Sequence, residues 1–337
     1  LPLRVPAAEL TLAGGRATWN GVVVQLGADS LRTRGLLTVP EGGLGAWLRG
    51  EAPPEIEAEL TGGRLDLAAL PPLRPASLPA RGTLAVRLDT LARGVHALTA
   101  VTARVVLSDS LLSIPEATFE AWGGSGEATL WLGASETARQ LFQLTLGVED
   151  ADADALLSAL TPLDDAITGR LDLTVELAGA ADTLLHVHPE SLSGRAGLNL
   201  RDGTLGASGA TLALAEFLDA EAWAEIPFWE ARVDLEILER RVEVRFAELF
   251  GPRGRLALRG LVALDGSARL DVGLRLPAEQ LGGVSLRRTG VSPETIARLR
   301  SEGSSLAIGL ELSGPLGDPV LEPDASHADL VAAPEGP

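Results

Sequence analysis

The alternation of apolar and polar residues predicts a mainly β protein: an elongated, twisted antiparallel sheet curved into an open groove, with about three short helices. Three features of the 337-residue sequence carry this reading. Short period-2 runs keep returning, each opened by a glycine and closed by a turn, as in Gly82–Asp89 (G-T-L-A-V-R-L-D) and Gly169–Leu177 (G-R-L-D-L-T-V-E-L). Hydrophobic residues are 46 % of the chain and aromatics 4 %, so the apolar surface is almost wholly Leu, Val and Ala. Helical spacing with caps shows at only three places.

Strand side chains point to alternate faces, so Leu171, Leu173, Val175 and Leu177 share one face while Asp172, Thr174 and Glu176 turn to water. The same rule groups Leu198 with Leu200, then Val233, Leu235 and Ile237, then Val242, Val244 and Phe246, then Leu256 with Leu258, then Leu270, Val272, Leu274 and Leu276. The Asp202-Gly203 and Asp265-Gly266 pairs read as tight hairpins, and Trp122-Gly123-Gly124-Ser125-Gly126 as a β-turn. Three helices are expected. One runs from about Ala151 through Leu160 with acids in its first turn, and one spans about Leu212–Glu225; the third has Ser292 as N-cap, Pro293 at the first position and Gly303 as its stop. The proline run Pro71-Pro72-Leu73-Arg74-Pro75, with Pro79, cannot donate ladder bonds and marks a break or crossover. This divides the chain into an N-terminal β segment, 1–75, continuing the groove; a main region, 76–322; and a tail, 323–337, expected to fray.

Roughly fifteen strands of about 5–6 residues, the usual strand length, each present an aliphatic face, and three short helices cannot cover them all. Either two sheets close on each other as a sandwich, or one sheet stays curved and open with a concave apolar face.

Charge and composition narrow the partners. With 46 acidic residues against 28 basic ones the formal charge is −18, which repels phosphate backbones and anionic headgroups at long range, and no aromatic platform or basic groove suits single strands. Nucleic acid is not expected. Cysteine is absent, so disulfides and thiolate metal sites are excluded, and no uninterrupted apolar run of about 18 residues occurs. The start at Leu1 reads as that of a processed or truncated piece, with any membrane anchor in a missing N-terminal segment.

Candidate chemical motifs are thin. Glu149-Asp150-Ala151-Asp152-Ala153-Asp154 alternates carboxylates, but a calcium loop counted from Asp150 needs Gly at Ala155 and Glu at Thr161, so the run reads as a solvated helix start. His186 and His188 could share a strand face, yet no third ligand is evident, and His96 and His327 stand alone. Asp164-Asp165 lies in a polar turn unsuited to raising a carboxyl pKa. No nucleophile elbow, Walker loop or dinucleotide fingerprint is present. No catalytic, cofactor or metal residues are therefore assigned, and the expectation is a non-enzymatic protein.

The order of features over Phe119–Leu160 is more specific: strand, Gly-rich turn, strand, polar gap, strand, then an acidic-to-leucine helix. The strand Gly169–Gly179 follows, then Ser191-Leu192-Ser193-Gly194-Arg195-Ala196-Gly197-Leu198-Asn199-Leu200-Arg201-Asp202-Gly203-Thr204-Leu205, and the chain nears its end with Leu312-Ser313-Gly314-Pro315-Leu316-Gly317-Asp318-Pro319-Val320. These runs resemble the "sL-G-x-l-x-l-x-D-G" and "v-x-G-x-l-x-x-P" elements of the AsmA-like C-terminal region, found in the AsmA and TamB group of envelope proteins. The resemblance covers about Leu78–Val320 and continues more weakly over Leu3–Leu70. It implies a periplasmic β-groove tethered to the inner membrane in the full-length protein, taking part in lipid transport and outer-membrane biogenesis by holding phospholipid acyl chains, with envelope proteins of either membrane as partners. The groove candidates are Leu171, Leu173, Val175, Leu198, Leu200, Val233, Leu235, Val242, Val244, Leu256, Leu258, Val272 and Leu274. The rival readings are an interaction module with a closed sandwich core that pairs through its edge strands, and, more distantly, a secreted hydrolase on a β scaffold.

Overall fold

The computed structural model describes residues 3–4, 9–26, 28–40, 53–69, 81–108, 111–134, 139–160, 166–182, 186–263 and 265–331. The protein is mainly β, a twisted mixed sheet that does not close into a barrel, with a few short helices. The chain divides into two compact units, residues 1–149 with 175–192, and residues 150–174 with 193–337. This differs from a division at residue 75. Long strand ladders cross that point, and they hold its two sides in one unit.

In the first unit β1 (Leu3–Arg4) and β2 (Leu10–Ala13) both pair with β3 (Arg16–Leu26). Antiparallel ladders then join β3 to β4 (Asp29–Thr38) and β4 to β5 (Glu55–Asp66), and run from β6 (Arg81–Arg93) through β7 (His96–Leu107), β8 (Leu111–Ala121) and β9 (Gly124–Ala134) to β10 (Gln140–Asp152). The pair β5–β6 is parallel, so the chain between them must travel back the length of a strand. The proline run lies in that connection, as a crossover requires, although residues 70–80 are outside those described.

Most strands have 10 to 15 residues, about twice the expected length, at about 3.3 Å per residue. Length is what makes the faces extensive. In the first unit cross-strand register assembles one apolar face from rows such as Leu60, Val86, Ala103, Ala117, Ala128 and Leu146. Gly62 leaves room on that face, since a Cβ there would stand 2.4 Å from Leu31 Cδ2. The opposite face carries charge: Glu59 bonds Arg34 from the neighbouring strand and lies 3.1 Å from Arg87 Nη1. Among the described residues this unit has no α-helix, and Leu60, Leu84, Val86, Val105, Leu130 and Leu144 are half-buried.

The second unit contains the ladder β12 (Ser193–Leu205), β13 (Ile226–Leu238), β14 (Arg241–Gly251), β15 (Gly254–Ala263), β16 (Ser267–Leu276), β17 (Leu306–Pro315) and β18 (Val320–Pro323), antiparallel throughout. The strand β11 (Ile167–Ala181), like β10, gives residues to both units. All three expected helices form: α1 (Ala153–Leu160), α2 (Gly209–Leu218) and α3 (Pro293–Glu302). Asp152 caps α1, accepting from Ala155 N at 2.9 Å, and α3 has Ser292, Pro293 and Gly303 in the roles assigned from sequence. The second helix starts earlier and ends sooner than expected. Ser208 and Thr211 form a reciprocal cap, Asp219 ends it in the left-handed region, and Glu221–Ala224 is a separate 3-10 turn.

Two turn expectations part company. Asp265-Gly266 lies in the β15–β16 turn, with Gly266 N bonded to Ala263 O, and Trp122-Gly123 forms a two-residue hairpin turn with both φ positive. Asp202-Gly203 is instead inside β12, where Asp202 at φ 50° forms an irregularity in the strand, and β12 connects to β13 through α2; the tight turn between β13 and β14 is Glu239-Arg240, which has no glycine. The tail is not frayed from Pro323: Ala325–Val331 is a 3-10 segment with Val331 fully buried. It packs on the charged side of the sheet, over a flat row made by Ala257, Gly273 and Gly309.

Candidate functional site: an apolar trough in the second unit

Register brings the candidate residues of the second unit onto one face. Three cross-strand rows run from β12 to β17: Leu200, Ala231, Leu249, Leu256, Leu274, Ile308; then Leu198, Val233, Ala247, Leu258, Val272, Leu310; then Ala196, Leu235, Val244, Gly260, Leu270, Leu312. A fourth adds Ile237, Val242 and Val262. Leu171 and Leu173 are buried on β11 in this unit, whereas Val175 belongs to the first unit.

A β-bulge in β14 keeps the rows in phase. Leu235 pairs with Val244 but Asp234 pairs with Phe246, so Arg245 is an extra residue. The strand therefore changes phase: Val242 and Val244 share their face with Ala247 and Leu249. Phe246, expected beside Val244, faces the charged side opposite Asp234 and is 40 % exposed.

Cover on this face is graded. Leu200, Leu256, Val272 and Leu274 are buried, the last completely, as are Leu276, Leu310 and Leu312. Leu198, Val233, Leu235, Val242, Val244 and Leu258 are half-buried. The candidates on β16 are thus closed over and, Leu200 apart, those on β12–β14 are half-buried, with the small residues Ala231 and Ala247 buried between them. On this face α2 roofs a half-open cavity of about 260 Å³ lined by Ala166, Ile167, Leu205, Ala210, Leu214, Ile226, Leu256, Leu258, Leu270, Val272, Leu312, Leu316 and Leu321, with Ser208 and Thr211. At about 30 Å³ for a water in the liquid, that is roughly nine water-sized groups. Leu258 both lines the cavity and stands in the row of Val233 and Leu198, so the half-buried stretch and the cavity lie on one face of the sheet, with the buried Ala247 between Leu258 and Val233.

No lining residue carries a charge, and the two hydroxyls are engaged: Thr211 Oγ1 donates to Gly206 O at 3.0 Å and accepts from Ser208 N at 2.8 Å. The roof is tied at both ends. A Cβ on Gly209 would stand 2.3 Å from Leu316 O, and Ser285 N donates to Leu218 O at 2.6 Å. The trough thus offers dispersion contacts and exclusion of water, and no directional polar group.

The reverse face is a ladder of ion pairs, with Arg259 Nε 2.9 Å from Asp271, Arg269 Nε 2.6 Å from Glu311, and Arg255 on Glu248 and over the Phe250 ring. The Arg259 and Arg269 pairs leave their arginines exposed and contribute little stability each, whereas Arg255–Glu248 is largely buried.

The remaining candidates have local partners. Asp150 binds Arg170, whose hydrogen bond holds the Asp150 carboxyl below the usual aspartate range, and Arg201 pairs with Asp172 at 3.1 Å. His186 Nδ1 lies 3.0 Å from Asp182 and His188 Nδ1 3.6 Å from Glu190; among the described residues no group of three or more His, Cys, Asp or Glu is placed to hold a metal. Asp164-Asp165 lies outside the described residues. Missed from sequence were the roof residues Leu214, read only as a helix residue, and Ala210, which precedes the expected helix start, and the apolar face of the first unit beyond β6, whose alternation was legible but not assigned to a lining.

No protein-family model, curated protein or solved structure matches the chain.

Proposed function

We propose that the protein is a non-enzymatic component of a bacterial envelope that holds phospholipid acyl chains in the apolar trough of its second unit and contributes to lipid transport to, or assembly of, the outer membrane. The observation that carries the reading is that half-buried aliphatic rows on β12–β14 share one sheet face with an uncharged cavity under α2. Each methylene removed from water contributes about 0.8 kcal/mol, so a chain laid along Val233, Leu235, Val244 and Leu258 is retained without polar contacts. The resemblance to AsmA-like sequences supports the periplasmic setting. Among the described residues no helix is long and apolar enough to cross a membrane, and the proposal places the tether in a further segment of the full-length protein.

Photo-crosslinking with a phospholipid carrying a diazirine in its acyl chain tests this. Adducts concentrated on Leu198, Val233, Leu235, Val244 and Leu258 support the trough, whereas adducts spread equally over Arg232, Glu243 and Arg259 on the charged side oppose it.

The edge strand β2 favours a second reading. Leu10 and Leu12 there are 56 % and 67 % exposed, and an apolar edge of this kind suits strand pairing with an envelope protein. Concentration-dependent self-association or partner pairing that is lost in Leu12→Lys would assign the edge this role.

A further inference from the structure

We infer that the segment Leu286–Gly303 forms a docking surface for the anionic headgroups of a lipid bilayer, beside the roof of the trough. The formal charge of −18 is unevenly distributed. Residues 286–303 carry Arg287, Arg288, Arg298 and Arg300 against Glu294 and Glu302 alone. All four arginines are exposed, and α3, which bears two of them, buries no residue.

Most arginines on the strands of this unit are paired, although among the described residues Arg253 meets only the Glu225 carbonyl and Arg275 Nε has no hydrogen-bond partner. Elsewhere in this unit Arg170, Arg201, Arg232, Arg245, Arg259 and Arg269 each meet a carboxylate across or along the sheet. Among the described residues Arg287, Arg298 and Arg300 meet none, although two glutamates share their segment; Arg288 reaches Glu216 only at 3.6 Å. A guanidinium not matched by a carboxylate is free to take phosphate oxygens in a forked, two-bond geometry.

Position agrees with charge. The segment folds back so that the Arg300 guanidinium lies where a side chain on Gly282 would begin, 3.2 Å from an added Cβ. Ser285 N is bonded to the C-terminal end of α2 at Leu218 O, and Arg288 approaches Glu216 on the same helix. Ser285 and Arg288 thus tie the segment to the C-terminal end of α2, the cavity's roof, where Glu216 and Asp219 are the neighbouring acids. An anionic bilayer would attract this patch and repel the remainder, which orients the unit at the surface. The inference rests on surface charge and does not require the trough to hold a lipid.

Sedimentation with vesicles of phosphatidylcholine containing 30 mol % phosphatidylglycerol, about the composition that gives a strongly anionic surface, tests it with the whole chain. The expected result is binding that pure phosphatidylcholine does not support and that high salt removes. The triple variant Arg287→Gln/Arg298→Gln/Arg300→Gln should bind on the order of a hundredfold more weakly, each arginine contributing about fivefold near an anionic surface. Triple replacement by Lys should restore most of the binding, because the surface charge returns. Equal binding to both vesicle types, or a Gln variant that binds like the parent, would overturn the inference. Acyl-chain crosslinking in the Gln variant is read separately: its retention leaves the trough intact, and its absence already in the parent counts against the trough alone.

Discussion

Gly273 and Gly309 stand where any side chain would strike the 3-10 segment Ala325–Val331. A Cβ on Gly309 would lie 2.1 Å from Asp324 O and 2.5 Å from Ala328 N, both backbone atoms that cannot swing aside. Gly309→Val should therefore lift the segment, at a cost of about 1–3 kcal/mol typical of overpacking, and hydrogen exchange at residues 325–331 should accelerate well before the strands are affected. Unchanged protection there would mean that the segment is not seated on the sheet. Asp324 at the head of this segment accepts from the hydroxyl and the amide of Ser326, which hold its carboxyl below the ordinary 3.8, with His327 adding to the effect. A depressed carboxyl contributes stability above its unfolded pKa and loses it as pH falls through the folded value. Carboxyl NMR should find Asp324 ionised below the usual range, and Ser326→Ala should move it upward; an unmoved titration would contradict the assignment.

At the scale of elements, the roof helix α2 depends on its first turn. Ser208→Ala removes the side-chain half of the reciprocal cap and should cost about 1 kcal/mol, within the 0.5–2 kcal/mol usual for an N-cap, read as a shifted denaturant midpoint. The strand β14 shows what was legible and what was not. Alternation placed Val242 and Val244 on the apolar face correctly, but a bulge has no marker in an uninterrupted V-E-V-R-F-A-E-L run, so Phe246 was carried to the wrong side. The start of α3 was readable because Ser292-Pro293 announces itself through capping chemistry, that of α1 because of its acidic first turn, while the Ser208 cap of α2 was not recognised. The folded tail was hidden for the opposite reason: a Pro-, Ala- and Asp-rich stretch looks loose, and only the small residues Ala257, Gly273 and Gly309, far away in sequence, make a bed for it. Membership of the face was thus visible from period-2 patterning, while its graded cover depends on which strands α2 and its neighbours lie upon.

At the scale of the whole molecule, each unit presents one aliphatic and one charged sheet face, and in the second unit the aliphatic face changes from closed core to half-buried trough. The two ends should respond oppositely to charge. Leu274→Asp places an unpaired carboxylate in a fully buried site and should unfold the unit. Leu173, buried at 7 % exposure, belongs with it rather than with the half-buried stretch. Val244→Asp, at a half-buried position, should leave secondary structure intact and disturb only what lies in the trough. The measurement that bears most directly on the central claim is native mass spectrometry of the protein purified from a diderm host, beside Val244→Asp with its fold verified by circular dichroism. The account predicts co-purifying phospholipid on the parent protein and its loss from the folded variant; a lipid-free parent, or phospholipid retained equally by Val244→Asp, would contradict it.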